Sequence, residues 1–216
     1  MYRSREIGLF VIVTAIVILY ALGLKNDLVF DDSLLLDERF RQSYGESFSL
    51  QQRFLSYGSF FWSEALLGTG WWKQRVLNVL LHVGTTLALF GFYRTLLSSI
   101  RQNEAKTAPE NGRSHDVLLL VAIGFFALNP VAVYTVAYLI QRSILMATLG
   151  VVLALWCWAI GLSTGRKGFF VAALFAYLLA LASKEHALLA PLCAVAVYVF
   201  VRRPPPKIIA LVAAGS

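Results

Sequence analysis

The chain has 216 residues, of which 58% are hydrophobic and only 14% charged, and its mean hydropathy is +0.68. That apolar fraction excludes an ordinary soluble domain and points to an integral membrane protein. A net charge of +7 would suit a nucleic-acid binder, but the excess cations all fall on one side of the apolar runs, which argues for membrane topology instead.

A spanning helix needs about 20 mainly apolar residues. The first run, 7–24, follows Arg3 and Arg5 and lacks a clean small-x-small cleavage site. It therefore reads as an uncleaved anchor rather than a signal peptide. The segment 25–75 is far too long for a simple connector. It carries Phe40, Phe48, Phe54, Tyr57, Phe60, Phe61, Trp62, Trp71 and Trp72 among polar residues. Aromatics this dense beside a bilayer predict amphipathic helices in the headgroup region, with "SLQQRFLSYGSFFWSEALLG" as the clearest case.

The second span is expected over 76–97, followed by a polar, flexible linker over 98–116. A short third run, 117–128, stops at Asn129-Pro130, where proline disfavours the same helix continuing. Residues 131–140 are too few to span and read as a bent continuation or a re-entrant piece. Further spans follow over 144–162, 169–182 and 187–201, and another begins at Ile208. That last run ends abruptly after nine residues, so the chain reads as an N-terminal fragment of a longer protein. Cys157 and Cys193 each lie inside an apolar run and are expected to pack as small apolar groups, without a disulfide or metal role. The expected fold is all-α, a polytopic transmembrane bundle forming one domain over 1–216 with a long first extracytoplasmic loop.

With the N-terminus inside and the spans alternating, eleven of the nineteen Lys and Arg residues fall on the inner side with four of the twelve acids. The outer side is then neutral, and every short inner loop is basic, as the positive-inside rule requires. The same orientation places Asp31 and Asp32 outside.

Four polar groups gather on that outer face: Asp31 with Asp32; Arg53, with His82 about two turns into the second span; Gln141-Arg142; and Ser183-Lys184-Glu185-His186. Charge at membrane depth is costly, so such residues usually pair or serve function. Taken one at a time, Arg142 and Lys184 could be snorkelling anchors, and Lys184-Glu185 a local ion pair. Asn78 and His82, four apart, could simply join helices within a bundle. Together they suit chemistry on a lipid-linked phosphate. Arg grips a phosphate with its planar fork, Lys adds a point charge, and a carboxylate can deprotonate a hydroxyl. The acidic pair is also a candidate ligand set for a divalent cation, magnesium or manganese, through Asp31 and Asp32.

Five segments resemble the N-terminal membrane half of the transmembrane-and-TPR-containing protein O-mannosyltransferases and their bacterial relatives, which are GT-C glycosyltransferases. "LVFDD" is similar to the acidic motif after the first span. "RFLSYGSFFWSEALLG" and "WWKQRVLNVLLH" resemble the R-P-L…Y segment leading into H-x-V-N-x-L-L-H. "FFALNPVAVYTVAYLIQRSILMATL" is similar to L-H-P…E-A-V…R, and "YLLALASKEHALLAPL" to L-L-S-K-E…P-L. Asn129 stands where relatives often carry His, Phe54 where Pro often follows the Arg, and Lys73-Gln74 within the H-x-V-N lead.

This resemblance implies a GT-C-like bundle that moves a sugar from a polyprenyl-phosphate carrier to a protein or glycan acceptor, working among membrane lipids at the extracytoplasmic face. A multi-pass position in a bacterial cytoplasmic membrane is the expected location. By the same resemblance Asp31 or Asp32 would be the catalytic carboxylate, Arg53, Arg142 and Lys184 would hold the lipid phosphate, and Glu185 would orient Lys184. His82 is a weaker member of the substrate-binding set. Enzymes of this class work with and without a metal. Two other readings are a transporter or flippase of a lipid-linked substrate, which an inverted repeat would favour, and a non-catalytic membrane scaffold.

Overall fold

The fold is that of a computed structural model that describes residues 2–46, 51–104 and 112–203. Helices and helical turns make up the architecture, and no strand occurs among the described residues. The long elements are α1 (Tyr2–Ala21), α4 (Trp71–Glu104), α5 (Gly112–Ala127), α7 (Arg142–Thr164), α8 (Lys167–Ser183) and α9 (Ala190–Arg202). Between α1 and α4 lie a 3-10 segment (Phe30–Leu36), α2 (Glu38–Arg41), a π-helical turn (Gln42–Glu46) and α3 (Phe54–Leu67). A short α6 (Ala132–Val136) and a second 3-10 segment (Leu139–Gln141) precede α7, and a third (Glu185–Leu189) precedes α9.

Among the described residues, three stretches, Trp71–Ile100, Leu139–Thr164 and Glu185–Arg202, are long and apolar enough to cross a membrane. Asp116–Ala127 and Lys167–Ser183 are shorter apolar helices. Outward-facing Phe10, Phe125, Val171, Phe175 and Phe200 are all more than half exposed. An apolar exterior of that extent is stable against hydrocarbon rather than water.

Inward faces follow helical spacing. Ile12, Ile16 and Tyr20 on α1, four apart, meet Leu119, Ile123 and Ala127 on α5, also four apart. An ion pair between Arg5 and Asp116 at 2.6 Å ties the first turns of the same two helices, so they run parallel. A second cluster joins Phe92 of α4 with Ala159 and Leu162 of α7 and Val197 and Val201 of α9. In lipid there is little hydrophobic drive between helices, so close packing and interhelical hydrogen bonds carry the association. Gly150 serves the packing: a Cβ there would lie 2.9 Å from the Ala180 Cβ and 3.0 Å from the Ala176 carbonyl, so α7 and α8 touch through small residues. Hydrogen bonds from Trp156 to Thr95 at 3.0 Å and from Trp158 to the Ala194 carbonyl at 3.1 Å link α7 to α4 and α9.

Several boundaries differ from the sequence reading. α4 begins at Trp71, more than a turn before the apolar run at Val76, because Gln74 and Arg75 are held by partners in the preceding segment: Gln74 donates to the Phe60 carbonyl and Arg75 to the Asp27 carbonyl. It also runs on to Glu104, since Ser98 to Glu104 contain no glycine or proline to stop it. The remainder of the expected linker, 105–111, lies outside the described residues, as do Phe48 and the start of a span at Ile208. The 131–140 run, expected as a bent continuation or a re-entrant piece, holds the short helix α6 and the start of the following 3-10 segment. Pro130 interrupts the helix, and the Asn129 side chain takes the Val131 N–H at 2.9 Å. The aromatics of the first loop turn largely onto one another. Phe40, Tyr44 and Tyr57 have ring centroids 4.8 to 5.1 Å apart, and Phe60 and Phe61 are buried, whereas Trp72 stays exposed.

Candidate active site

Three connections distant in sequence are hydrogen-bonded together at one end of the bundle. They are the 3-10 segment after α1, the α6–α7 junction, and the α8–α9 junction, with the N-terminus of α3 between them. Beneath them Leu35, Phe60, Leu139 and Ile140 form a small buried cluster, which gives this end a fixed floor.

Asp31 and Asp32 have opposite environments. Asp32 is fully buried; its carboxylate accepts the Ile140 N–H at 2.9 Å and, more weakly, the Val29 N–H at 3.5 Å. Burial pushes its pKa above the ordinary carboxylate value, and the backbone N–H groups and Arg75 pull the other way. Asp31 is exposed. Its backbone N–H donates to the Tyr138 hydroxyl at 2.9 Å, and its exposed carboxylate also interacts with that hydroxyl, so Tyr138 of the α6–α7 junction holds this acid.

Neither acid forms a hydrogen bond or ion pair with Arg53, Arg142 or Lys184 among the described residues. They are connected through one five-residue stretch instead. Tyr138 and Ile140 contact the acids, and Gln141 accepts from the Lys184 amine at 3.4 Å while donating to the Tyr134 hydroxyl at 2.9 Å. The next residue is Arg142.

Arg53 opens α3 in the left-handed region, with φ of 60°, a conformation that costs a non-glycine residue of order 1–3 kcal/mol. Its guanidinium grips Glu185 through two hydrogen bonds, one of them Nε at 2.9 Å, and Nη1 donates to Tyr57 at 3.0 Å. Those bonds hold the Arg53 pKa above its ordinary value. Glu185 is therefore paired with Arg53 rather than with Lys184. Ser56 fastens the same corner, donating to the Ser183 carbonyl at 2.9 Å. Lys184 is half-buried; burial first, and the neighbouring Arg53 second, lower its pKa, with Glu185 opposing.

Arg142 lies beneath this surface, 2% exposed. Nε donates to Asn78 Oδ1 at 2.8 Å, and Nη2 donates to both the carbonyl and the side-chain oxygen of Gln74 at 2.8 Å. Nη1 reaches Ser59 at 3.4 Å, and the guanidinium carbon sits 3.8 Å from the Phe60 ring centroid. All of its oxygen partners are neutral. It also borders a cavity of about 320 Å³ with Ser59, Ser63 and Leu77. His82 is not part of this assembly. It is buried within the bundle, between Tyr20 and Phe126, and because a carbonyl can only accept, its Nε2–H donates to Ala127 at 2.9 Å.

The donor set does not fit a divalent cation held by the protein. No group of three or more His, Cys, Asp or Glu side chains is gathered among the described residues. The Asp32 oxygens already accept backbone N–H groups.

Sequence reasoning did not single out Tyr138 or Arg75 as site residues. Arg75 is buried, and its charge acts on Asp32. A signal was present: Arg75, Asn78 and His82 recur at helical spacing on one face of α4. Searched against known families, curated proteins and solved structures, the chain matches none of them.

Proposed function

We propose that this chain is the multi-pass membrane part of a glycosyltransferase that moves a sugar from a polyprenyl-phosphate carrier to a hydroxyl of a protein or glycan acceptor. The N-terminus would lie in the cytoplasm and the assembled end of the bundle at the extracytoplasmic face of a bacterial cytoplasmic membrane. The single observation that carries the reading is the exposed Asp31, whose backbone N–H is held by Tyr138 on the same junction that contacts Lys184. The order of the five motifs and the one-sided charge distribution support it.

In this mechanism Asp31 takes the proton of the acceptor hydroxyl as its oxygen forms a bond to the anomeric carbon. The bond from that carbon to the phosphate oxygen breaks, and the departing polyprenyl phosphate carries away the electron pair. Lys184 meets that developing charge, and Arg53, held by Glu185, adds positive potential beside it. Asp32 and Arg142 act as positioning residues, one fixing the loop that carries Asp31 and the other the junction of α3 with α4. No step runs through a metal.

The test is transfer from a polyprenyl-phosphate sugar by the full-length protein in membranes. Loss of a general base typically costs 10²–10⁴-fold, so Asp31→Asn should fall by at least about 100-fold at unchanged expression. Full activity in Asp31→Asn would overturn the assignment of the base.

A further inference from the structure

A second polar site lies on the other side of Asp32, between the end of α1, the first turns of α4, and α6. It is a cavity of about 160 Å³ whose walls include Leu24, Val79, Val133 and Val136. Arg75 and Tyr20 both line it, and both are more than nine-tenths buried. Arg75 spends Nη2 on the Asp27 carbonyl at 2.9 Å, while its Nε and Nη1 have no hydrogen-bond partner among the described residues. The Tyr20 hydroxyl is likewise buried and unpartnered. Buried polar groups are ordinarily satisfied, and a guanidinium left with two free donors in an apolar wall is among the costlier exceptions. Asp27 and Asp32 act on Arg75 only through space, and the Asp32 oxygens already accept N–H groups.

We infer that the Arg75–Tyr20 cavity binds a single phosphate group, with the apolar remainder of an amphiphile leaving along the α1 and α6 walls. Two unsatisfied nitrogens on a planar fork and one unsatisfied hydroxyl belong to side chains that line the same small cavity, and a phosphate's several acceptor oxygens suit such a donor set. The volume admits a headgroup and not a sugar with its carrier. The rim at Gly23, Leu24 and Asn26 is at least partly exposed, so the cavity can be entered from the end of α1. This site is separate from Lys184 and Arg53 and does not depend on sugar transfer.

Binding is read on the full-length protein in detergent by native mass spectrometry, without any transfer assay. The arms are phosphatidic acid, polyprenyl phosphate, inorganic phosphate and, as the zwitterionic control, phosphatidylcholine. Retention of phosphatidic acid or polyprenyl phosphate over phosphatidylcholine, reduced at least 10-fold by Arg75→Gln and at least 3-fold by Tyr20→Phe, supports the site. The preferred arm identifies the source of the phosphate. Displacement of bound lipid by millimolar inorganic phosphate also supports it. Tyr20→Phe removes one oxygen and keeps the ring, so it tests the site even if Arg75→Gln does not fold. Equal retention of phosphatidylcholine, or retention unaltered in Tyr20→Phe and in any folded Arg75→Gln, would overturn the inference. Loss of transfer in Asp31→Asn with lipid retention intact would show the two sites to be distinct.

Discussion

The carboxylate of Asp32 accepts the backbone N–H of Ile140 at 2.9 Å, across 108 residues of sequence. This bond fastens the segment after α1 to the α6–α7 junction, and its neighbour Asp31 is presented outward from the same turn. Removing the acceptor leaves the buried Ile140 N–H without a partner, which costs about 1–3 kcal/mol. Asp32→Ala should therefore lower the thermal midpoint in detergent clearly, whereas Asp31→Ala should leave it near the wild-type value.

Asp32 also predicts a pH dependence of stability. Its folded-state pKa is raised, chiefly by burial. Its contribution is thus fully present below the unfolded carboxylate pKa and is lost as pH rises through the folded value. The protein should gain thermal stability from this group as pH is lowered from neutral into the mildly acidic range. Asp32→Asn, which keeps an acceptor for Ile140 and cannot ionise, should flatten that part of the profile. A slope unchanged in Asp32→Asn would assign the effect to other groups.

Arg142 makes a different prediction from an exposed phosphate ligand. Truncation to alanine strips donors from Asn78 and Gln74 and uncovers the face of Phe60. The expected loss is about 3 kcal/mol, the sum of unsatisfied acceptors and a lost cation–π contact. Arg142→Lys should recover only part of it, because a compact ammonium lacks the planar fork that spans Asn78 and Gln74 and the flat face that lies on Phe60. Activity should follow the folded fraction in both variants, measured by thermal unfolding beside transfer.

The lowered pKa of Lys184 gives donor binding an alkaline limit. Without an anion bound, the amine loses its charge at a lower pH than an ordinary lysine, so affinity for the lipid phosphate should begin to fall below the usual lysine range. Lys184→Arg stays charged throughout and should move that limb to higher pH. An identical alkaline profile in the arginine variant would remove Lys184 from the phosphate contact.

Apolar runs and their breakers determined the helices and most of their ends. Ile12, Ile16 and Tyr20 sit at helical spacing whatever packs against them, and Pro130 ends α5 through its own missing N–H. The beginning of α4 was less legible, because Gln74 and Arg75 are polar residues held in helix by partners elsewhere in the chain. Which of two adjacent aspartates is exposed was not legible at all. In a 3-10 turn successive side chains point about 120° apart, and only the arrival of Ile140 buries one and leaves the other exposed. Arg53, Lys184 and Glu185 could be named from charge beside apolar runs, but their partners are side chains from other connections. Charge next to a membrane span is a property of the local sequence. Who satisfies that charge, and who is left unsatisfied as Arg75 and Tyr20 are, depends on contacts between distant segments and was decided by tertiary packing.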